Sequence, residues 1–113
     1  TQSVTVPAGA VVYVSSNGGF QCNGTGNTNA NGDFAIYVNN TATTIQRRVI
    51  AANTAGVGNM ISQWALSGVV ALTEGTHTIQ VRAKLGDGAT APGLAGGTND
   101  LVKGTLSVIV IKQ

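Results

Sequence analysis

Six basic residues carry most of the chemistry open to this chain. Arg82 and Lys84 stand two apart in Thr76–Leu85, where Ile79, Val81, Ala83 and Leu85 alternate with Thr78, Gln80, Arg82 and Lys84. Alternation with period two is the signature of a strand, so both cations point to one face. Arg47 and Arg48 are adjacent, so in a regular strand they point to opposite faces, and one of them approaches an interface that must supply a carboxylate or an anion. Lys103 and Lys112 flank the last apolar run. A guanidinium fork matches sulfate and carboxylate. Arg47, Arg48, Arg82, Lys84 and Lys103 are therefore the candidate ligand-binding set, for an acidic polymer. The plainer reading of the same residues is that they solubilise the surface and guard sheet edges.

The remaining inventory is thin. One His, one Cys and four carboxylates leave Cys22 and His77 as the only formal nucleophile–base pair, with Asp33 or Asp100 to orient the imidazole. No spacing supports that pair, and no Gly-x-Ser-x-Gly element is present, so the reading is non-enzymatic. His77 shares the parity of Ile79 and reads as a hydrogen-bonded, partly buried histidine. Cys22 has no partner for an intrachain disulfide and reads as a small buried hydrophobe. Asn27, Asn29, Asn31 and Asp33 are spaced like a calcium loop, but the early ligand positions are neutral and Val38 stands where a bidentate Glu would close the site. No metal or cofactor is expected. Trp64 is the only indole, and reads as core or interface before sugar platform. A basic run interleaved with aromatics is missing, which disfavours nucleic acid.

The elements that must position these residues are strands. Gly is abundant, only 9% of residues are charged against roughly 25% in an average domain, and aromatics are 4%. The net charge is +2. Residues 1–113 form one domain. Strand signals recur at Ser3–Val6, Ala10–Ser15, Phe20–Cys22, Asp33–Asn39, Thr43–Ala52, from Ile61 to Leu72, at Thr76–Leu85 and at Gly104–Lys112. Asn17-Gly18-Gly19, Asn39-Asn40, Ala55–Asn59 and Glu74-Gly75 read as turns. Asn23–Gly32 and Gly86–Asp100 read as loops, and Gly68 as a bulge or bend. This gives about eight strands, at the spacing of an antiparallel sandwich or jelly roll. No apolar run approaches the ~18 residues of a membrane helix. No signal peptide is visible, and a chain beginning at Thr1 reads as an excised fragment.

Two segments are apolar on both faces: Ala10–Ser15 and Leu106–Ile111. In the latter, Val108 and Val110 point one way and Ile109 and Ile111 the other. One domain offers one core, so the second face needs a cover, and another copy of the chain supplies it most economically. Val12, Val14, Ile109 and Ile111 are the candidate interface.

The run Ile61-Ser62-Gln63-Trp64-Ala65-Leu66-Ser67-Gly68-Val69-Val70-Ala71-Leu72-Thr73-Glu74-Gly75-Thr76-His77-Thr78-Ile79-Gln80-Val81 and the ending Leu106-Ser107-Val108-Ile109-Val110-Ile111-Lys112 resemble the bacterial relatives of tumour-necrosis-factor-like and complement-subcomponent-q-like jelly rolls. The resemblance implies an all-β antiparallel jelly-roll sandwich of about eight to ten strands, assembled as a homotrimer. Such heads cap collagen-like or fibrous stalks and occur in phage tails. The expected function is a trimeric, adhesin- or lectin-like head, extracellular or on the cell surface, that binds polysaccharide or host-surface glycan, anionic glycosaminoglycans among them, by avidity. No nucleic acid and no membrane insertion are expected. The alternative is a purely structural trimerisation module of a stalk, fibre or phage virion.

Overall fold

In the computed structural model, which describes residues 1–96 and 100–113, the chain is all-β. Eight strands run in the order β1 (Gln2–Val6), β2 (Ala10–Cys22), β3 (Thr28–Val38), β4 (Thr41–Asn53), β5 (Ile61–Val70), β6 (Gly75–Leu85), β7 (Gly93–Ala95) and β8 (Gly104–Lys112). All pairings are antiparallel. One sheet has the order β1-β6-β3-β4. In the other, β2 is central, with β5 on one side and β7 and β8 sharing the opposite side. Ser62 Oγ donates to the Ile50 carbonyl (2.7 Å) and Gln2 Nε2 to the Leu106 carbonyl (3.2 Å), so β4 lies over β5 and β1 over β8.

Alternation decides what lies between the sheets. Phe34, Ile36 and Val38 of β3 are buried, as are Val12 and Val14 of β2, Trp64 and Leu66 of β5, and Ile79 of β6. Phe34 stacks on Trp64 with centroids 4.6 Å apart and meets Phe20 edge-on at 5.5 Å. The indole N–H is satisfied inside this cluster: Trp64 Nε1 donates to Ser16 Oγ (3.1 Å), which donates to the Thr105 carbonyl (2.7 Å). A buried N–H with no acceptor would cost ~1–3 kcal/mol.

Three expectations are corrected. Asn17-Gly18-Gly19 is no turn but the interior of a continuous β2. Its glycines answer to crowding: a Cβ on Gly18 would lie 2.2 Å from Trp64 Cη2, and one on Gly19 would lie 2.0 Å from the Leu101 carbonyl oxygen. Gly68 makes no bulge, since β5 keeps one register with β2 from Ile61 to Val70; a Cβ there would press on Ile45 Cδ1 at 2.8 Å. The Asn23–Gly32 loop ends early, because β3 begins at Thr28. The Gly86–Asp100 segment holds the short β7, and its positions 97–99 lie outside the described residues. The Asn39-Asn40 turn forms as read, with φ of 48° and 67°. Asn is among the few residues besides glycine that tolerate this left-handed region.

Candidate functional site

Register brings the basic residues together. Across β6-β3-β4, Lys84, Asp33 and Arg48 form one row and Arg82, Ala35 and Gln46 the next. Tyr37 follows, paired with Gln80 and Ala42. Between Ala35 and Tyr37 the β3–β4 register shifts, which bends the edge strand around this patch. All these positions share the outer face of the sheet, opposite the buried Phe34 and Ile36. They border an open groove of about 520 Å³, with Arg47 at its rim.

The cations in the groove are held. Arg48 grips Asp33 in a bidentate pair, Nε to Oδ1 at 2.6 Å and Nη2 to Oδ2 at 2.9 Å. That hydrogen-bonded guanidinium keeps the Asp33 carboxyl below its ordinary value, helped by the Arg48 and Lys84 charges, and Asp33 in turn raises Arg48. The guanidinium of Arg82 lies over the Tyr37 ring, 4.4 Å from its centroid. Its Nη2 donates to Asn40 Oδ1 (2.5 Å), and it also bonds Gln80 Oε1. Arg47 Nη1 turns back to the Gln46 carbonyl (2.7 Å). Lys84 has no ion pair within 4.0 Å among the described residues. The groove thus sets four cations against one carboxylate.

Lys103 stands apart from this groove. It pairs with Asp100 (2.5 Å) just ahead of β8 and lines a different cleft, between the two sheets. Asp33 and Tyr37 were missed as parts of the basic site. Their signal was parity, because Asp33, Ala35 and Tyr37 form the face of β3 that Phe34, Ile36 and Val38 leave free.

The candidate interface residues divide. Val12 and Val14 are buried inside the sandwich at 0% exposure, so they stabilise this protomer's core and no surface. This corrects their assignment: of the two apolar faces of β2, the sandwich takes Val12 and Val14 and leaves Val11 and Tyr13 outside. Ile109 and Ile111 are exposed at 54% and 46%. In register, Val69, Tyr13 and Ile109 form one row across β5-β2-β8, Val11 and Ile111 sit beside it, and Ser67, Ser15 and Ser107 form the next row. No charged side chain stands on this face of the three strands.

The other chemistry-bearing residues have structural partners. Asn39 Nδ2 donates to His77 Nδ1 (2.9 Å), which leaves Nε2 as the protonated nitrogen that donates to the Thr73 carbonyl (2.8 Å). Asn39 Oδ1 accepts the Thr78 N–H, which fixes the amide's orientation. Cys22 is buried at the far end of β2, its Sγ 3.6 Å from Thr28 Oγ1. The calcium-like asparagines are anchors. Asn31 Nδ2 donates to the Asp87 carbonyl (2.5 Å), Asn29 Nδ2 to the Gly88 carbonyl (3.1 Å), and Asn27 Oδ1 accepts the Ala55 N–H (3.0 Å). Among the described residues, no three of His, Cys, Asp and Glu gather as a metal site would require.

Compared with known proteins, the chain matches no family model, no curated protein and no solved structure.

Proposed function

We propose that this domain is a non-enzymatic, homotrimeric jelly-roll head that binds extracellular glycans, anionic ones above all, from the cell surface or a secreted assembly. The strand orders β1-β6-β3-β4 and β8-β2-β5 support the jelly-roll part, because the chain passes back and forth between two sheets. One observation carries the functional part: charge is segregated by face. The outer face of β5-β2-β8 is uncharged and presents Val69, Tyr13, Ile109 and Ile111, which suits burial against two further copies. The outer face of β6-β3-β4 gathers Arg48, Arg82 and Lys84, with Arg47 at the rim, and stays free in such an assembly. Three grooves on one rigid body turn weak sulfate or carboxylate contacts into useful avidity.

A second reading has its own support. Arg48 is already neutralised by Asp33, and Arg82 is already seated on Tyr37, Asn40 and Gln80. Cations so engaged suit a structural trimerisation module of a stalk, fibre or phage tail that binds no glycan.

Light-scattering mass beside retention on a heparin column tests both. The head reading expects three chains per particle and salt-sensitive retention that Arg47→Ala/Arg48→Ala abolishes. A trimer that flows through at low salt leaves the structural module, and a monomer overturns both.

A further inference from the structure

The two sheets do not close on each other along β6. β1 pairs only with Gly75–Ile79, so on that side Gln80–Leu85 has no strand partner among the described residues. The backbone parity is fixed by Thr78. Its N–H donates to Asn39 Oδ1 (2.9 Å) and its carbonyl accepts the Asn39 N–H (2.9 Å), both toward β3. The Gly86 N–H likewise reaches the Asn31 carbonyl (2.7 Å). Backbone groups alternate sides along an antiparallel strand, so Val81 and Ala83 turn their N–H and C=O to the open edge. An open edge is a template for another strand.

Below that edge the space between the sheets is open and apolar. A cleft of about 470 Å³ is lined by Phe34, Trp64, Val81, Ala83, Ala95 and Leu106. It continues past Ala83 into a second of about 350 Å³, against Phe20, Leu85 and Pro92. Ile79, beside β1, is fully buried, whereas Leu85, of the same inward parity, is 61% exposed. The cover that β1 gives to one half of β6 is missing from the other half.

We propose that this edge and cleft form a β-augmentation site for an extended peptide strand of a partner protein, with small apolar residues alternating with acidic ones. Such a strand would prolong the line of β1, antiparallel to β6. Its apolar side chains would enter the cleft beside Val81, Ala83 and Leu85. The others would emerge beside Arg82 and Lys84, with Lys103 across the cleft and Asp100 the carboxylate paired to it. That charge asks for acids. A second copy's β6 is a poor occupant, since antiparallel pairing about Ala83 would set Arg82 against the copy's Lys84 position, and like charges directly opposite destabilise. This site is an edge, distinct from both outer faces, and does not depend on the glycan reading.

The test is a calorimetric titration of the whole chain with a capped nonapeptide alternating valine and glutamate. Two controls leave the protein untouched: the same peptide N-methylated at every second residue on the bonding edge, and a scrambled peptide of equal composition. Saturable binding that both controls weaken at least tenfold is expected. Arg82→Glu/Lys84→Glu should switch the preference by at least tenfold to a valine–lysine peptide. Equal binding of the methylated peptide would reduce the site to charge attraction and overturn the proposal, as would no binding at millimolar peptide. Exchange protection of the Val81 and Ala83 amides without peptide, rising with protein concentration, would make a second copy the occupant and also overturn it.

Discussion

On the outer face of β5-β2-β8, the side chains in successive rows are valine, tyrosine and isoleucine, then serines. On the outer face of β6-β3-β4, the corresponding rows hold Lys84, Asp33 and Arg48, then Arg82, Ala35 and Gln46. Behind both lies one core of Phe34, Trp64, Val12, Val14 and Ile79. The difference teaches that a sandwich with one interior can have two unrelated exteriors. Alternation makes inner and outer residues independent, so one exterior can be shaped for assembly and the other for charge without disturbing what holds the sheets together.

The comparison can be broken at several levels. Trp64→Ala strikes the shared core. It removes the ring stacked on Phe34 and orphans Ser16 Oγ, and should cost about 3–5 kcal/mol in a denaturant titration. Both faces should then lose their properties together. Tyr13→Lys/Ile109→Lys addresses the uncharged face alone. Lysines forced into an apolar interface without partners should weaken self-association roughly a thousandfold, ~4 kcal/mol, measured by sedimentation. The monomer's melting temperature measured below the association range should barely move, since both positions are outside the core. Arg48→Ala/Arg82→Ala/Lys84→Ala addresses the charged face alone. It should remove heparin retention and leave the particle mass unchanged.

The smallest effect separates structural from ligand-binding charge within the basic groove. The Asp33 carboxyl titrates below its unfolded value because Arg48 bonds its ionised form. In the acid range the unfolded chain therefore takes up a proton that the folded chain does not. The pair's stabilisation is whole above the unfolded value, near pH 4, and is lost as pH falls through the lower folded value. Asp33→Asn should flatten that acid limb in urea titrations between about pH 5 and 2. At neutral pH it should strengthen heparin retention by freeing Arg48.

Some of this was legible in the residues. β6 and β3 announce themselves by alternation, and Asn39-Asn40 by the tolerance of Asn for positive φ. That Arg82 and Lys84 share a face needed only parity. That Asp33, Tyr37 and Arg48 stand beside them depends on which strands pair and in what register, which no local pattern carries. Gly18-Gly19 resembled a turn because glycine's usual reason is conformational, whereas here Trp64 and the Leu101 backbone claim the space. Asn29 and Asn31 resembled loop because asparagine is depleted in strands. Their side chains are instead spent on the carbonyls of Gly88 and Asp87, contacts far away in sequence. Val12 and Val14 could not be told from Val11 and Tyr13 as interface, because both faces of that strand are apolar and only the position of β3 and β6 decides which is inside.

The central place of β2 has a consequence in time. Its hydrogen-bonding partners are Ile61–Gln21 at one flank and, at the other, Gly93–Ala95 and Gly104–Lys112, the last strand of the domain. Half of its backbone therefore waits, unsatisfied, for residues made about ninety positions later. Pairing of this kind carries loop-closure entropy before it returns any contact, and sandwiches built so fold in roughly milliseconds to seconds. During synthesis a β-rich, low-charge strand stays open until Gly104–Lys112 clears the ribosome. The final nine residues of the domain thus act as a clasp, and shortening them should convert a slow folder into an aggregating one.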